Sequence, residues 1–184
     1  MVEKQMDLRV RRTLSSIQKA FYELVQEKGL TNISITDLTK TAGINRKTFY
    51  LHYNSMEDLL DVVKEESANR VLEVLGESMK HQRTDEAISK FFHYLYECTG
   101  IQRLLLCEPE NKDFYKAVME IVLNSDTFQN FYKKTPYPNL TEAYVTSISS
   151  IYWEWDQSGQ TIPLDDLIAY TAKLVSGGYK SVLK

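Results

Sequence analysis

The chain is short of the residues from which most chemical machinery is built. It has two cysteines, Cys98 and Cys107. Two thiols make no disulfide framework, and a separation of nine residues fits no metal-ligand pattern. They read as buried, reduced thiols on separate helices. The three histidines, His52, His81 and His93, are scattered, with no acidic partner at metal-ligand spacing. There is no phosphate loop, no Gly-x-Ser-x-Gly elbow and no His-Glu-x-x-His zinc-protease motif. No catalytic residue, metal ligand or cofactor site is therefore assigned, and the chain does not read as an enzyme. Long apolar runs are missing too. No segment approaches the 18 or so residues that cross a bilayer, and Met1 to Gln18 lacks the apolar region of a signal peptide. The expectation is a cytoplasmic protein with no membrane partner. Strand alternation, internal repeats and low-complexity tracts are absent as well, which leaves an all-α architecture.

What is present is helical periodicity on an ordinary globular composition, 43% apolar and 26% charged, in a chain long enough to bury a sizeable core. Leu14, Ile17, Phe21, Leu24 and Val25 form a stripe on a first helix, expected over 9–28 and stopped by Gly29. A long helix is expected from about Ser55 to Met79, then one over 86–99 ended by Gly100, with Ile88, Phe91, Phe92 and Leu95 in register. Ile101 to Cys107 should be a short helix halted by Glu108-Pro109. A further helix covers 111–123, followed by a turn or two around Phe128, Phe131 and Tyr132. Thr135 to Asn139 is the clearest loop, after which Thr141 should cap a helix through Trp155. The last helix should start near Leu164 and repeat as far as Val182, interrupted by Gly177-Gly178.

Charge divides this chain unevenly. Residues 1–53 hold nine Lys/Arg against five Asp/Glu, or +4; residues 54–184 hold thirteen against twenty, or −7. A basic head on an acidic body directs phosphate binding to one end. Arg9, Arg11 and Arg12 add to it, sitting at a helix start where the dipole gives them no reason to be.

The rest is organised around Ser34 to Tyr53. Ser34 and Asp37 have the spacing of a cap and its acidic third residue, and Ile35, Leu38 and Ala42 share one face. Gly43 follows the last turn and Asn45 is suited to cap a second helix, with Phe49 and Tyr53 four apart on its core side. Arg46, Lys47, Thr48, Tyr50 and His52 are left for the other faces. Two short helices, a glycine turn and a donor-rich face form the grammar of a helix-turn-helix DNA reader. In that geometry Arg46 and Lys47 lie at the end that meets base edges, while Thr48, Tyr50 and His52 are donors suited to phosphates.

The run Gly43-Ile44-Asn45-Arg46-Lys47-Thr48-Phe49-Tyr50-Leu51-His52-Tyr53 resembles the TetR family's Gly-Val-Ser-x-x-Thr-Phe/Leu-Tyr-x-His/Tyr-Phe, and Ser34 to Leu38 resembles its Thr-Val-x-x-Ile. The resemblance covers roughly the first 60 residues. It implies a three-helix DNA-binding head (1–54) and a helical body that senses a ligand and dimerises (55–184). It further implies base contacts from Thr36, Arg46 and Lys47, and phosphate contacts from Thr48, Tyr50 and His52. In one respect the chain departs: Asn54, Ser55 and Met56 offer no lysine where many members hold a phosphate.

The acidic body carries sixteen of the 21 aromatic residues, and TetR-like regulators keep an inducer pocket in this lobe. The wall residues expected for an unidentified small-molecule effector are Phe92, Tyr96, Phe114, Val118 and Trp153. The last two helices have more apolar surface than one seam needs. Ile148, Ile151, Tyr152, Trp155, Leu167, Leu174 and Val175 are therefore expected at a homodimer interface, which would let two heads read a palindromic operator. The function expected is a transcriptional repressor released by its effector. The alternatives are a regulator or coactivator controlled by a protein partner, suited to the acidic face and the loop at 135–139, and an enzyme or carrier that merely kept the head.

Overall fold

The computed structural model describes residues 8–178. Among these every regular element is a helix, and the chain divides between Val63 and Lys64 into two compact units.

In the first unit, α1 (Leu8–Lys28) buries Ile17, Ala20, Phe21, Leu24 and Val25, the three-and-four spacing of a single helix face. Gly29 ends it at φ +77°, a left-handed conformation that costs glycine little, with its N–H on the Val25 carbonyl. A short 3₁₀ turn leads to α2 (Ile35–Thr41), and α2 packs against both α1 and α3 (Arg46–Tyr50). Phe49 and Leu38 are wholly buried in this unit.

Helix α4 (Met56–Lys80) begins in the first unit and continues in the second. It is capped as its sequence suggests: the Ser55 hydroxyl accepts from the Asp58 N–H at 3.2 Å. The second unit continues with α5 (Thr84–Glu97), α6 (Gly100–Cys107), α7 (Lys112–Leu123), α8 (Asp126–Tyr132), α9 (Pro138–Gln157) and α10 (Leu164–Gly177). Helix α10 packs on α5 and α9, α7 on α6 and α8, and α8 on α9. The core contains Phe91, Phe92, Leu95, Phe114, Val118, Val122 and Tyr152. Cys98 and Cys107 are buried and unbridged.

Three helix ends differ from the sequence expectation. Gly100 opens α6 rather than closing α5, because Cys98 has already left helical geometry at ψ 128°. Helix α9 starts at Pro138, inside the expected loop. Proline lacks the N–H that a first helical residue would leave unpaired, and the Thr141 hydroxyl donates back to Tyr137 and Thr135 instead of capping forward. Helix α10 ends at Gly177 with Gly178 at φ +65°, so the glycine pair terminates the helix, and Val182 lies outside the described residues.

Candidate nucleic-acid interface and body cavity

The head's donor face is positioned by two caps and a turn. Ser34 Oγ accepts from the Asp37 N–H at 3.1 Å, and the Asp37 carboxylate accepts from the Ser34 hydroxyl at 2.8 Å and its N–H at 3.4 Å, a reciprocal capping box. These bonds from Ser34, with an ion pair to Lys28 at 3.1 Å, hold the Asp37 carboxyl below its ordinary value. Gly43 turns the chain at φ +66°. Asn45 Oδ1 then caps α3, accepting from the Thr48 N–H at 2.8 Å and the Thr48 hydroxyl at 3.1 Å. Helix α3 is only five residues long and stops at Tyr50, short of the expected Tyr53. Tyr53 still donates its N–H to the Phe49 carbonyl at 3.0 Å, and the two rings sit 5.6 Å apart. Phe49 anchors the helix from inside with no exposed surface.

That anchoring sorts the other side chains. Thr36, Arg46, Lys47 and Tyr50 are exposed, while Thr48 and His52 are half-buried. The Arg46 guanidinium donates to the Tyr50 hydroxyl at 3.4 Å, one turn along the same face. Neither Arg46 nor Lys47 forms an ion pair among the described residues, so both charges remain available to an anion. Arg11 and Arg12 of α1 are exposed as well. Thr48 has its hydroxyl committed to Asn45, which leaves its oxygen lone pairs and not its proton for other partners. Asn54, where a lysine was missing, is tied by its N–H and its side-chain amide to Asp58, both at 2.8 Å.

In the body, an open cleft of about 700 Å³ lies between α7 and α9. Tyr115 and Trp153 form part of its wall, with ring centroids 5.3 Å apart. Burial pushes the Tyr115 phenol well above its ordinary range, and its hydroxyl, beside Ser149 and Trp153, has no hydrogen-bond partner of good geometry. A narrower apolar slot of about 70 Å³ adjoins the cleft; Met119, Leu123 and Ser149 line both. Of the five expected wall residues, Trp153 lines the cleft. Phe92, Phe114 and Val118 are buried in the core and line neither cavity. Tyr96 is 49% exposed, stacked on Trp155 at 6.2 Å. The cleft residues that sequence reasoning passed over are Tyr115, Met119 and Leu123. Their four-residue spacing is a second apolar stripe on α7, beside the more conspicuous Phe114, Val118 and Val122.

The residues expected between two chains separate into two groups. Tyr152, Trp155 and Leu167 are 1%, 6% and 4% exposed within a single chain, leaving almost no surface for a partner. Tyr152 stacks on Phe92 and Trp155, and the Trp155 indole N–H donates to the Ile162 carbonyl at 2.9 Å. Ile148, Ile151, Leu174 and Val175 are half-buried, and Ile148 also lines the slot. The more exposed apolar surface of α9 and α10 comes from Leu140, Tyr144 and Tyr170.

Among the described residues no group of His, Cys, Asp and Glu could hold a metal, and no helix is long and apolar enough to cross a membrane. Residues 17–63 match the model of the bacterial regulatory proteins, tetR family. The chain is 40% identical over 74 residues to the uncharacterized HTH-type transcriptional regulator YxbF of Bacillus subtilis (strain 168), a match covering 40% of this chain and 20% of that protein. It is 28% identical over 116 residues to the HTH-type dhaKLM operon transcriptional activator DhaS of Lactococcus lactis subsp. lactis (strain IL1403), covering 63% and 54%. The chain thus matches about half the length of these relatives or less. Its fold is similar to that of the transcriptional regulator FadR from Bacillus subtilis, solved in complex with stearoyl-CoA: TM-score 0.63, 19% identity, covering 90% of this chain and 98% of that one. The capped helix-turn-helix at 35–50 lies inside the match to the tetR family of bacterial regulatory proteins at residues 17–63, and the all-helical fold that follows is similar to that of solved transcriptional regulators.

Proposed function

We propose that the protein binds a palindromic DNA operator as a homodimer and represses transcription until a small molecule occupies its body. In this reading residues 1–54 read DNA and 55–184 sense and dimerise. The observation that carries it is the exposed Arg46–Tyr50 face on a helix anchored by buried Phe49, with both cations of α3 unpaired. Arg46 reaches two acceptors on a guanine and, with Lys47 and Thr36, selects sequence. Tyr50 and His52 hold phosphates and set orientation, and Thr48 joins them by turning its hydroxyl proton from Asn45 to the phosphate. Two heads roughly 34–36 Å apart read two half-sites, because one five-residue helix offers too few base contacts to select a site alone. The small-molecule half of the reading is supported by the cleft beside Trp153 and by a FadR of similar fold solved with stearoyl-CoA.

The test begins with selection of bound duplexes from a random library by the full-length protein. Arg46→Ala should then lose about 1–3 kcal/mol on the selected site and relax choice at one base pair. Tyr50→Phe should weaken all duplexes alike. Unchanged discrimination by the Arg46 variant would refute the assigned role.

A second reading, control by a protein partner, is favoured by Tyr137 and Leu140, 70% and 69% exposed around the start of α9. The DhaS relative, moreover, is an activator by name. Co-purification of a stoichiometric partner that alters operator binding, with no small molecule shifting thermal stability, would decide for it.

A further inference from the structure

We infer that the effector site takes a single-tailed amphiphile with a cationic head, the tail in the apolar slot and the head in the cleft; this rests on the small-molecule reading above. The adjacency of the two cavities carries the inference. Met119, Leu123 and Ser149 line both, so the slot lies directly beside the cleft and only these three side chains stand between them. Beyond those shared residues the slot is walled by Met79, Ile88, Phe91, Phe128, Phe131 and Val145, with Thr84 as its other polar side chain. Such a lining solvates an alkyl chain and penalises any polar group that enters unpartnered.

Charge decides the head. Glu120, beside Met119 in sequence and a turn before Leu123, lines the cleft with Glu142 and Glu154, and none of the three forms an ion pair among the described residues. Against them stand Lys112 and Lys116, of which Lys116 already lies 3.7 Å from the Asp113 carboxylate. The balance is negative. Trp153, half-buried in this wall and backed by the Tyr115 ring at 5.3 Å, adds an aromatic surface, which attracts a cation and not an anion. The Tyr115 hydroxyl, nine-tenths buried beside Ser149 and Trp153, is a polar group in this wall with no hydrogen-bond partner of good geometry. A cleft built only to be filled by water has no need of an apolar annex, and a purely apolar ligand would leave three carboxylates facing it.

The experiment uses full-length protein and the n-alkyltrimethylammonium series from hexyl to decyl, below micelle formation, followed by calorimetry and by the joint fluorescence of Trp153 and Trp155. Each added methylene that enters the slot should tighten binding about fourfold, the equivalent of ~0.8 kcal/mol per buried CH₂, with the gain ending where the slot is full. Decyl sulfate should bind more weakly than decyltrimethylammonium, and decyl maltoside between them. Glu120→Gln with Glu142→Gln should weaken the cation roughly fivefold per carboxylate and leave the maltoside unchanged. Val145→Phe narrows the slot from α9 and Thr84→Phe from α5. Either one, if folded by circular dichroism, should flatten the chain-length dependence. A flat series in the unmodified protein overturns the inference, as does tighter binding of decyl sulfate, or a slope that survives both narrowing variants. Release of operator DNA is scored separately. Amphiphile binding that leaves the DNA complex intact upholds this ligand class and sinks the effector reading; release by an alkyl-free molecule, with no amphiphile bound, does the reverse.

Discussion

Truncating Phe49 to alanine tests whether the donor face owes its position to the core. The ring has no exposed surface and sits 5.6 Å from the rings of both Tyr50 and Tyr53, so its removal leaves a cavity that cannot fill without moving α3. Phe→Ala in such a setting costs about 3–5 kcal/mol. A small domain is stable by only about 5–15 kcal/mol, so the first unit would stand near its threshold. For a unit of roughly sixty residues, 1 kcal/mol corresponds to about 4–8 °C, which puts the loss at no less than about 12 °C in the head's transition. Hydrogen exchange is the sharper assay. The amides of His52 and Tyr53 donate to the Phe49 carbonyl, and the Thr48 amide is held by Asn45; all should lose protection together, while α7 keeps its own. Phe49→Leu should cost under about 1.5 kcal/mol, since most of the volume stays. A loss below 1 kcal/mol in Phe49→Ala, with protection intact, would show that α3 is positioned by its caps alone and would refute the reasoning.

The capping box adds an acid limb to head stability: because bonds from Ser34 and the Lys28 ion pair lower the Asp37 pKa in the folded state, their contribution is complete above the ordinary carboxylate range and lost as pH falls through the lowered value. Denaturant midpoints across that interval should drop in the unmodified head and stay flatter in Asp37→Asn; equal slopes would discard this account. In the body, Arg103 lies 2.7 Å from the nearly buried Asp156 carboxylate, which also accepts from Gln160 at 3.0 Å and Gln157 at 3.3 Å. Arg103→Ala strands a buried charge, and because Arg103 is about a third exposed and the two amides remain, the cost should be about 2–3 kcal/mol by chemical denaturation, with Arg103→Lys recovering part of it. Dimer formation is checked at Leu174, half-buried on α10: a two-fold seam would receive two carboxylates from Leu174→Asp, so sedimentation should show a monomer and operator affinity should fall with the head untouched. An unmodified protein that sediments as a monomer at micromolar concentration would end that proposal.

The head was largely legible in the sequence because its determinants are local. A cap reads its own third residue, as Ser34 reads Asp37 and Asn45 reads Thr48, and Gly43 supplies a positive φ that few other residues tolerate. The stripe Ile17, Phe21, Leu24 and Val25 faces inward simply because a helix repeats every 3.6 residues. The same rule gave the body its all-α class and most of its helices. It misplaced the start of α9, where Pro138 served as a first helical residue inside an apparent loop. Periodicity says which face of a helix is apolar, but not what lies opposite. Phe92, Phe114 and Val118 are thus ordinary core, while Tyr115, Met119 and Leu123, one step round α7, border open space. The same limit applies at the end of the chain: Tyr152, Trp155 and Leu167 share a pattern with Ile148 and Leu174, yet the first three are consumed by contacts such as Phe92 on Tyr152, made 60 residues apart. Which apolar residue fills a core, lines a cavity or waits for a partner depends on non-local packing, and only the tertiary structure decided it.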